Sequence, residues 1–498
     1  MNVGAGTSAY HSMRLVPSCT ARLAYCTVLL SFVMLGTAIA APQPQNSSTI
    51  GVYESSEALH ESLAAKPTLK FGKASGAPIA IVVDDSHIYQ PIEGFGASLT
   101  DASAWLLAEK LSPAARRQLL RDLFDTKSGL GLTILRQPMA SSDFSRTDYS
   151  YDDRPAGATD PTLAHFSIAP DRRYILPVLR EALSVNPKLK VIASPWSPPG
   201  WMKTSGSMTG GTLLSSSFEP LANYFVRFVR DYQSEGVPVF AITPQNEPRN
   251  IPKDYPGMGM TPEEQAIFIR DHLGPAFHSA RLKTKILIFD HNWDMMDFPS
   301  AILRDRQAAQ FVAGTATHCY GGSPEAQTTF HKEFPEQPIW LTECSGGNWQ
   351  KGNLLIQQVG LVIHSTRNWA RSVVLWNLVL DQNYGPHLGG CTDCRAVILL
   401  DHSTNPPTIT RTVDFTALAH VSEFVRSGAV RIDSTSSTES ALEHVAFRNP
   451  DGSCVLLVLN PAGTPQTFNI SWHNAQAAYT LPATSVATFE WRAKTQRK

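Results

Sequence analysis

Two runs in the sequence end an apolar stretch abruptly in a carboxylate. Ile242-Thr-Pro-Gln-Asn-Glu-Pro248 delivers Glu247, and Ile339-Trp-Leu-Thr-Glu-Cys344 delivers Glu343. Cleaving a glycosidic bond needs a proton for the departing oxygen and a second carboxylate for the oxocarbenium-like centre, so two such glutamates are the minimum equipment for that reaction. On this reading Glu247 is the acid/base, with its pKa raised by burial or by the neighbouring carboxylate, and Glu343 is the ionised nucleophile. Asn246, next to Glu247, is within reach of a sugar 2-hydroxyl. Either run alone is common enough to be a helix-start turn; the pair together carries the argument.

Delivering a glutamate to the C-terminal end of a buried strand is how a (β/α)8 barrel places chemistry on its top face. Eight strand candidates occur in order: 92–95, 132–137, 190–195, 239–245, 285–289, 314–320, 339–342 and 372–378. Several are runs of Val, Ile, Leu and Ala with little alternation, as parallel strands buried on both faces require. Helical segments lie between most of them, with start signals at Ser112-Pro113 and Thr261-Pro-Glu-Glu264. The fifth helix, around Pro299, is expected to be short or broken. The strand ends are polar or aromatic: Asp143, Trp196, Asn246, His318, Tyr320, Trp376 and Asn377. Aromatic faces stack on sugar C–H faces and short polar groups bind hydroxyls, so Asp143, Trp196, Asn246, Tyr320, Trp376 and Asn377 are candidate sugar-binding residues. His318 reads as a hydrogen-bonding wall residue and Asp101 as a helix cap.

The fold class is therefore α/β, a (β/α)8 barrel over residues 86–427. After Ser427 the periodicity returns to two, and short strands separated by turns predict a β-sandwich over 428–498. Residues 41–85 contain further strand-like text. At the N-terminus, Arg14 and Arg22 precede an uncharged run, Leu23 to Ala40, that closes in Ala-Ile-Ala; residues 1–40 read as a cleavable signal peptide, and the protein as secreted. Nothing later is apolar enough to span a bilayer, so no stable membrane insertion is expected. The net charge of −1 gives no reason to expect nucleic acid as a partner. Removing the leader leaves Cys319, Cys344, Cys391, Cys394 and Cys454, an odd and sparse set that does not read as a disulfide framework. Cys391-Thr-Asp-Cys394 has metal-ligand spacing but no second pair, and reads as a loop disulfide or two thiols. No metal or other cofactor is expected, and nothing specifies an activator protein.

These stretches resemble glycoside hydrolase family 30, in its glucosylceramidase-like (acid β-glucosidase) branch. The resemblance rests on Gly94-Phe-Gly-Ala-Ser-Leu-Thr-Asp-Ala102, Pro138-Met-Ala-Ser-Ser-Asp-Phe-Ser145, Ser194-Pro-Trp-Ser-Pro-Pro-Gly-Trp-Met-Lys-Thr204, Gln245-Asn-Glu-Pro248, Thr342-Glu-Cys344 and Leu375-Trp-Asn-Leu378. It implies the same roles for Glu247 and Glu343, a sugar subsite at Asp143, Trp196, Asn246 and Trp376, and Tyr320 as hydrogen-bond donor to the nucleophile. It also implies that strands from before and after the barrel join in one sandwich. The substrate it favours is a β-glucoside such as glucosylceramide. Two departures keep an endo-β-1,6-glucanase as the rival. No alanine separates Glu343 from Cys344 as in the animal lysosomal members, and Gly385 to Cys394 is similar to microbial members.

Overall fold

The computed structural model describes residues 49–73, 76–437 and 440–492; the leader expected at 1–40 lies outside them. Eight parallel strands close a barrel: β1 (Gly94–Ser98), β2 (Ile134–Pro138), β3 (Lys190–Ser194), β4 (Val239–Ile242), β5 (Lys285–Asn292), β6 (Val312–His318), β7 (Ile339–Glu343) and β8 (Ala370–Leu375). Ile134, Ile192, Ala241, Leu287, Ala316 and Val374 pack inside it around Trp340. A Cβ on Gly314 of β6 would lie 2.1 Å from the Trp340 ring, so glycine is what admits an indole to the barrel interior. β5 runs on to Asn292 instead of stopping at Phe289, and so carries Asp290 near its tip. β8 stops at Leu375, which leaves Trp376 and Asn377 in the loop beyond.

The helix signals act as their chemistry requires. The Ser112 hydroxyl accepts the Ala115 N–H at the start of the helix Pro113–Phe124, and Thr261 with Glu264 forms a capping box. Helix Phe218–Ser234 buries Leu221, Tyr224, Phe225, Phe228 and Val229 along one face. The segment around Pro299 breaks into Asp297–Arg304 and Arg306–Ala309, with Asp305 capping the second piece. Asp101 is not a cap. Thr100 caps that helix by accepting from the Ser103 N–H, while Asp101 accepts from the Tyr174 hydroxyl (2.5 Å) and the Arg146 N–H (3.0 Å).

A nine-stranded sheet completes the chain, in the order Ala475–Leu481, Gln466–Trp472, Ile79–Pro91, Val430–Ser436, Glu443–Arg448, Ser453–Asn460, Ser485–Arg492, Thr49–Ser56, Glu61–Lys70. N-terminal and C-terminal strands are thus interleaved, and the boundary expected at residue 85 falls inside the strand Ile79–Pro91. Ser453–Asn460 shows how the sheet serves two cores through the period-two alternation of a strand. Cys454, Leu456 and Val458 pack with Trp472 and Trp491 in the sandwich, while Val455, Leu457 and Leu459 join the barrel core. Ala475–Leu481 is absent from the sequence expectation. It is the return arm of a hairpin turning at His473-Asn474, both with positive φ, without the glycine that usually marks such a turn. A three-stranded ribbon after β8, Val379–Asp381 with Ile398–Asp401 and Thr408–Arg411, was also not anticipated. Among the described residues no helix is long and apolar enough to cross a membrane.

Candidate active site

The strand ends converge on one guanidinium. Arg136 of β2 is fully buried; its Nη1 donates to Glu343 Oε2 (2.6 Å) and its Nη2 to Asp290 Oδ2 and Asn246 Oδ1 (both 2.8 Å). Its plane is held against Trp196 (4.8 Å to the ring centroid) and Trp376 (5.6 Å), two indoles that stack on each other at 5.0 Å and 20°. Asp290, also fully buried, is the second hub. Besides Arg136 it accepts from the hydroxyls of Ser194 (2.6 Å), Thr243 (2.8 Å) and Thr342 (2.6 Å), and it meets His318 Nε2 at 3.0 Å. The other ring nitrogen of His318 lies 3.0 Å from Glu247 Oε1. The Tyr320 hydroxyl donates to Glu343 Oε1 (2.9 Å) and Asn250 Nδ2 to Glu247 Oε2 (2.9 Å). Carboxylate oxygens of Glu247 and Glu343 come within 4.8 Å of each other and of a His318 nitrogen. Glu247, Asp290 and Asn377 have φ values of 46°, 66° and 72°, the concentration of left-handed backbone that functional strand ends tolerate.

Charge follows from this packing. Burial works to raise the Asp290 carboxyl, but Arg136 and His318 hold it well below the ordinary carboxylate range. Burial disfavours a charge on His318, yet Glu343 and Asp290 lift its pKa to about 9, so the ring is an imidazolium donating from both nitrogens. Two cations, Arg136 and His318, then face Asp290 and the glutamate pair. The two glutamates, this close together, titrate as a unit. Burial raises Glu343, helped by the charges of Glu247 and Asp290, whereas at Glu247 His318 outweighs burial and brings the carboxyl below its ordinary value. Protonation of the pair is thus favoured at Glu343 over Glu247. This reverses the sequence expectation of a raised Glu247, because the cation beside it is not visible in the sequence.

The glycosyl hydrolase family 30 TIM-barrel model matches residues 92–425, and the family's β-sandwich model matches residues 428–489. The chain belongs to glycoside hydrolase family 30. An endo-1,6-β-D-glucanase of Neurospora crassa is 34% identical over 459 residues, spanning 88% of this chain and 92% of that protein. The lysosomal acid glucosylceramidase of mouse is 31% identical over 448 residues, spanning 84% of each. Among solved structures, an endo-β1,6-glucanase superposes with a TM-score of 0.82 at 32% identity, covering 89% of this chain and 99% of that one.

In this family 30 hydrolase Asp143, Trp196, Asn246, Tyr320 and Trp376 gather around the glutamates, but Asn377 does not reach the mouth. Asn377 is fully buried, and its Oδ1 takes the Thr100 hydroxyl (3.0 Å), tying the loop after β8 to the loop after β1. Arg136 pins the amide oxygen of Asn246 and so leaves Nδ2 to donate. Asp143 lies under the loop 385–394, whose Leu388 N–H bonds its carbonyl (2.7 Å). Its Oδ1 has no partner, and burial, then the charges of Glu343 and Glu247, push its carboxyl well up. Arg136 and Asp290 were not singled out from sequence. Asp290 carried the same signal as the glutamates, a carboxylate ending an apolar run. Cys319–Cys344 is a disulfide that the cysteine count did not anticipate, whereas Cys391–Cys394 is the loop disulfide, one of its two expected forms; Cys454 is free and buried. The first joins residues adjacent to His318 and Glu343 on neighbouring strands, a pairing that a cysteine count does not reveal.

Glu247, His318 and Glu343 are close enough to surround a metal ion, but both nitrogens of His318 are already committed to carboxylates and its ring is protonated, so it has no lone pair to offer. The imidazolium has a measurable signature. Its folded pKa lies above the unfolded value of 6.5, so its stabilisation is complete below about pH 6.5 and is lost as pH rises through about 9. Urea unfolding of the wild type is expected to lose on the order of 3 kcal/mol across that window, and His318→Gln to lose the window itself. Parallel pH profiles for the two proteins would refute the assignment.

Proposed function

We propose that this chain is a retaining endo-β-1,6-glucanase that hydrolyses internal bonds of a β-1,6-glucan through Glu343 and Glu247. The observation that carries the substrate is the likeness, in sequence and in fold, to endo-1,6-β-glucanases over nearly the whole chain. The reading that first favoured glucosylceramide keeps support from the mouse relative, at lower identity. The approach of the carboxylate oxygens to within 4.8 Å supports retention, since retaining enzymes hold the carboxyls about 5–5.5 Å apart and inverting ones about 6.5–9.5 Å.

In the first step a Glu343 oxygen bonds to the anomeric carbon, the glycosidic C–O bond breaks, and Glu247 gives its proton to the leaving oxygen. In the second, Glu247 takes a proton from water, whose oxygen displaces Glu343 from the same carbon. The productive state needs a proton on Glu247 and a charge on Glu343. Arg136 and Tyr320 already aim donors at Glu343, and the Nδ1–H of His318, 3.0 Å from Oε1, is placed to supply Glu247. Secretion belongs to the same proposal: a wall polymer lies outside the cell, and two disulfides suit an oxidising compartment.

Purified protein given β-1,6-glucan and detergent-dispersed glucosylceramide tests the reading. Oligosaccharides from the glucan with the lipid intact are expected. Glucose and ceramide from the lipid with the glucan untouched would reject it.

A further inference from the structure

Beside the nucleophile lies a cavity of about 440 Å³ between the segments that follow β5, β6 and β7. Tyr320, whose hydroxyl holds Glu343, forms part of its wall, so it adjoins the catalytic centre. Trp349 on its rim is 50% exposed, unusual for the largest apolar side chain. The ring is nonetheless braced: a Cβ on Gly347 would lie 2.0 Å from it, so the indole lies directly against that backbone. The turn beneath is strapped to the second disulfide loop, with Gly347 paired to Cys394, the Arg395 N–H on the Gly346 carbonyl (2.7 Å) and the Asn348 N–H on the Asp393 carbonyl (3.3 Å). Two further wall residues hold buried polar atoms with no partner: the indole Nε1 of Trp293, a residue only 5% exposed, and the amide Oε1 of Gln350. Both atoms are closed to solvent as the side chains stand, so a ligand carrying one acceptor and one donor meets them after a small shift of the wall.

We propose that this cavity is an additional sugar subsite that takes a glucosyl unit of β-1,6-glucan beyond the one held at the glutamates. This rests on the glucanase reading. Trp349 stacks on the pyranose C–H face, while hydroxyls accept from Trp293 Nε1 and donate to Gln350 Oε1. A small aryl glucoside occupies only the catalytic subsite and does not reach the cavity.

The test compares kinetics on β-1,6-glucan and on an activated aryl β-glucoside for wild type, Trp349→Ala and Trp293→Phe. Trp349→Ala is expected to raise KM for the glucan about tenfold, the worth of one aromatic stacking contact, with kcat unchanged. Trp293→Phe keeps the ring but removes the donor, and is expected to raise KM about fivefold. Neither should alter kcat/KM on the aryl glucoside. An unchanged glucan KM in Trp349→Ala overturns the subsite while leaving the glucanase reading intact. Equal losses on both substrates overturn it in favour of a structural role. A wild type inert on β-1,6-glucan overturns the glucanase reading itself, and the glucan subsite with it.

Discussion

Glu343→Gln is expected to lower kcat on β-1,6-glucan by on the order of 10⁵-fold or more, the scale seen when a covalent nucleophile is removed, while leaving oligosaccharide affinity close to wild type. The amide matches the carboxylate in shape: its oxygen still accepts from Arg136, and its NH2 takes the other position and donates to the Tyr320 hydroxyl, so the mouth keeps its walls. What it lacks is the charge that closes on the anomeric carbon. Arg136 is not stranded, because Asp290 remains 2.8 Å away as its ion-pair partner, so the variant should fold. Calorimetric titration with β-1,6-linked oligosaccharides, beside turnover, separates the two effects. Residual turnover above a hundredth of wild type would mean that another group forms the covalent bond.

Glu247→Ala is expected to fail selectively. General acid catalysis contributes about 10²–10⁴-fold, so glucan turnover should drop by that factor, whereas an aryl glucoside whose phenolate leaves without help should react far less impaired in its first step. Deglycosylation still needs a base, so a burst of phenol followed by slow turnover is the expected trace. Equal loss on good and poor leaving groups would remove Glu247 from the acid role. The variant also frees Nδ1 of His318, whose second nitrogen stays on Asp290.

The two glutamates were legible because an apolar run that stops at a carboxylate is a local pattern. The barrel was legible for the same reason, strand by strand. What escaped was everything that depends on which strand end faces which. Arg136 stood in plain view at the end of β2, but its partners come from β3, β5, β7 and the loop after β4. Asp290 was lost because β5 was ended at Phe289, just short of it. His318 was placed on the wall, correctly as to location, but its charge exists only because Asp290 and Glu343 are beside it. Asn377 was assigned to the sugar from its neighbour Trp376, yet its left-handed backbone turns it toward Thr100. In the sheet, alternation exposed individual strands but not that chain-distant ones lie side by side.

That interleaving sets a clock on biosynthesis. Gly51 pairs with Glu490, so at ~5–20 residues per second the first strand waits roughly 20–90 s for the neighbour that covers its edge. Ile50 and Val52, fully buried in the finished protein, have no home until the last strand leaves the ribosome. The nascent chain therefore carries an unpaired apolar edge throughout elongation, the kind of surface that invites aggregation or a chaperone. Loss of the C-terminal strand would strand both ends of the polypeptide at once, so a premature stop near the end of the message should be as damaging as one in the barrel.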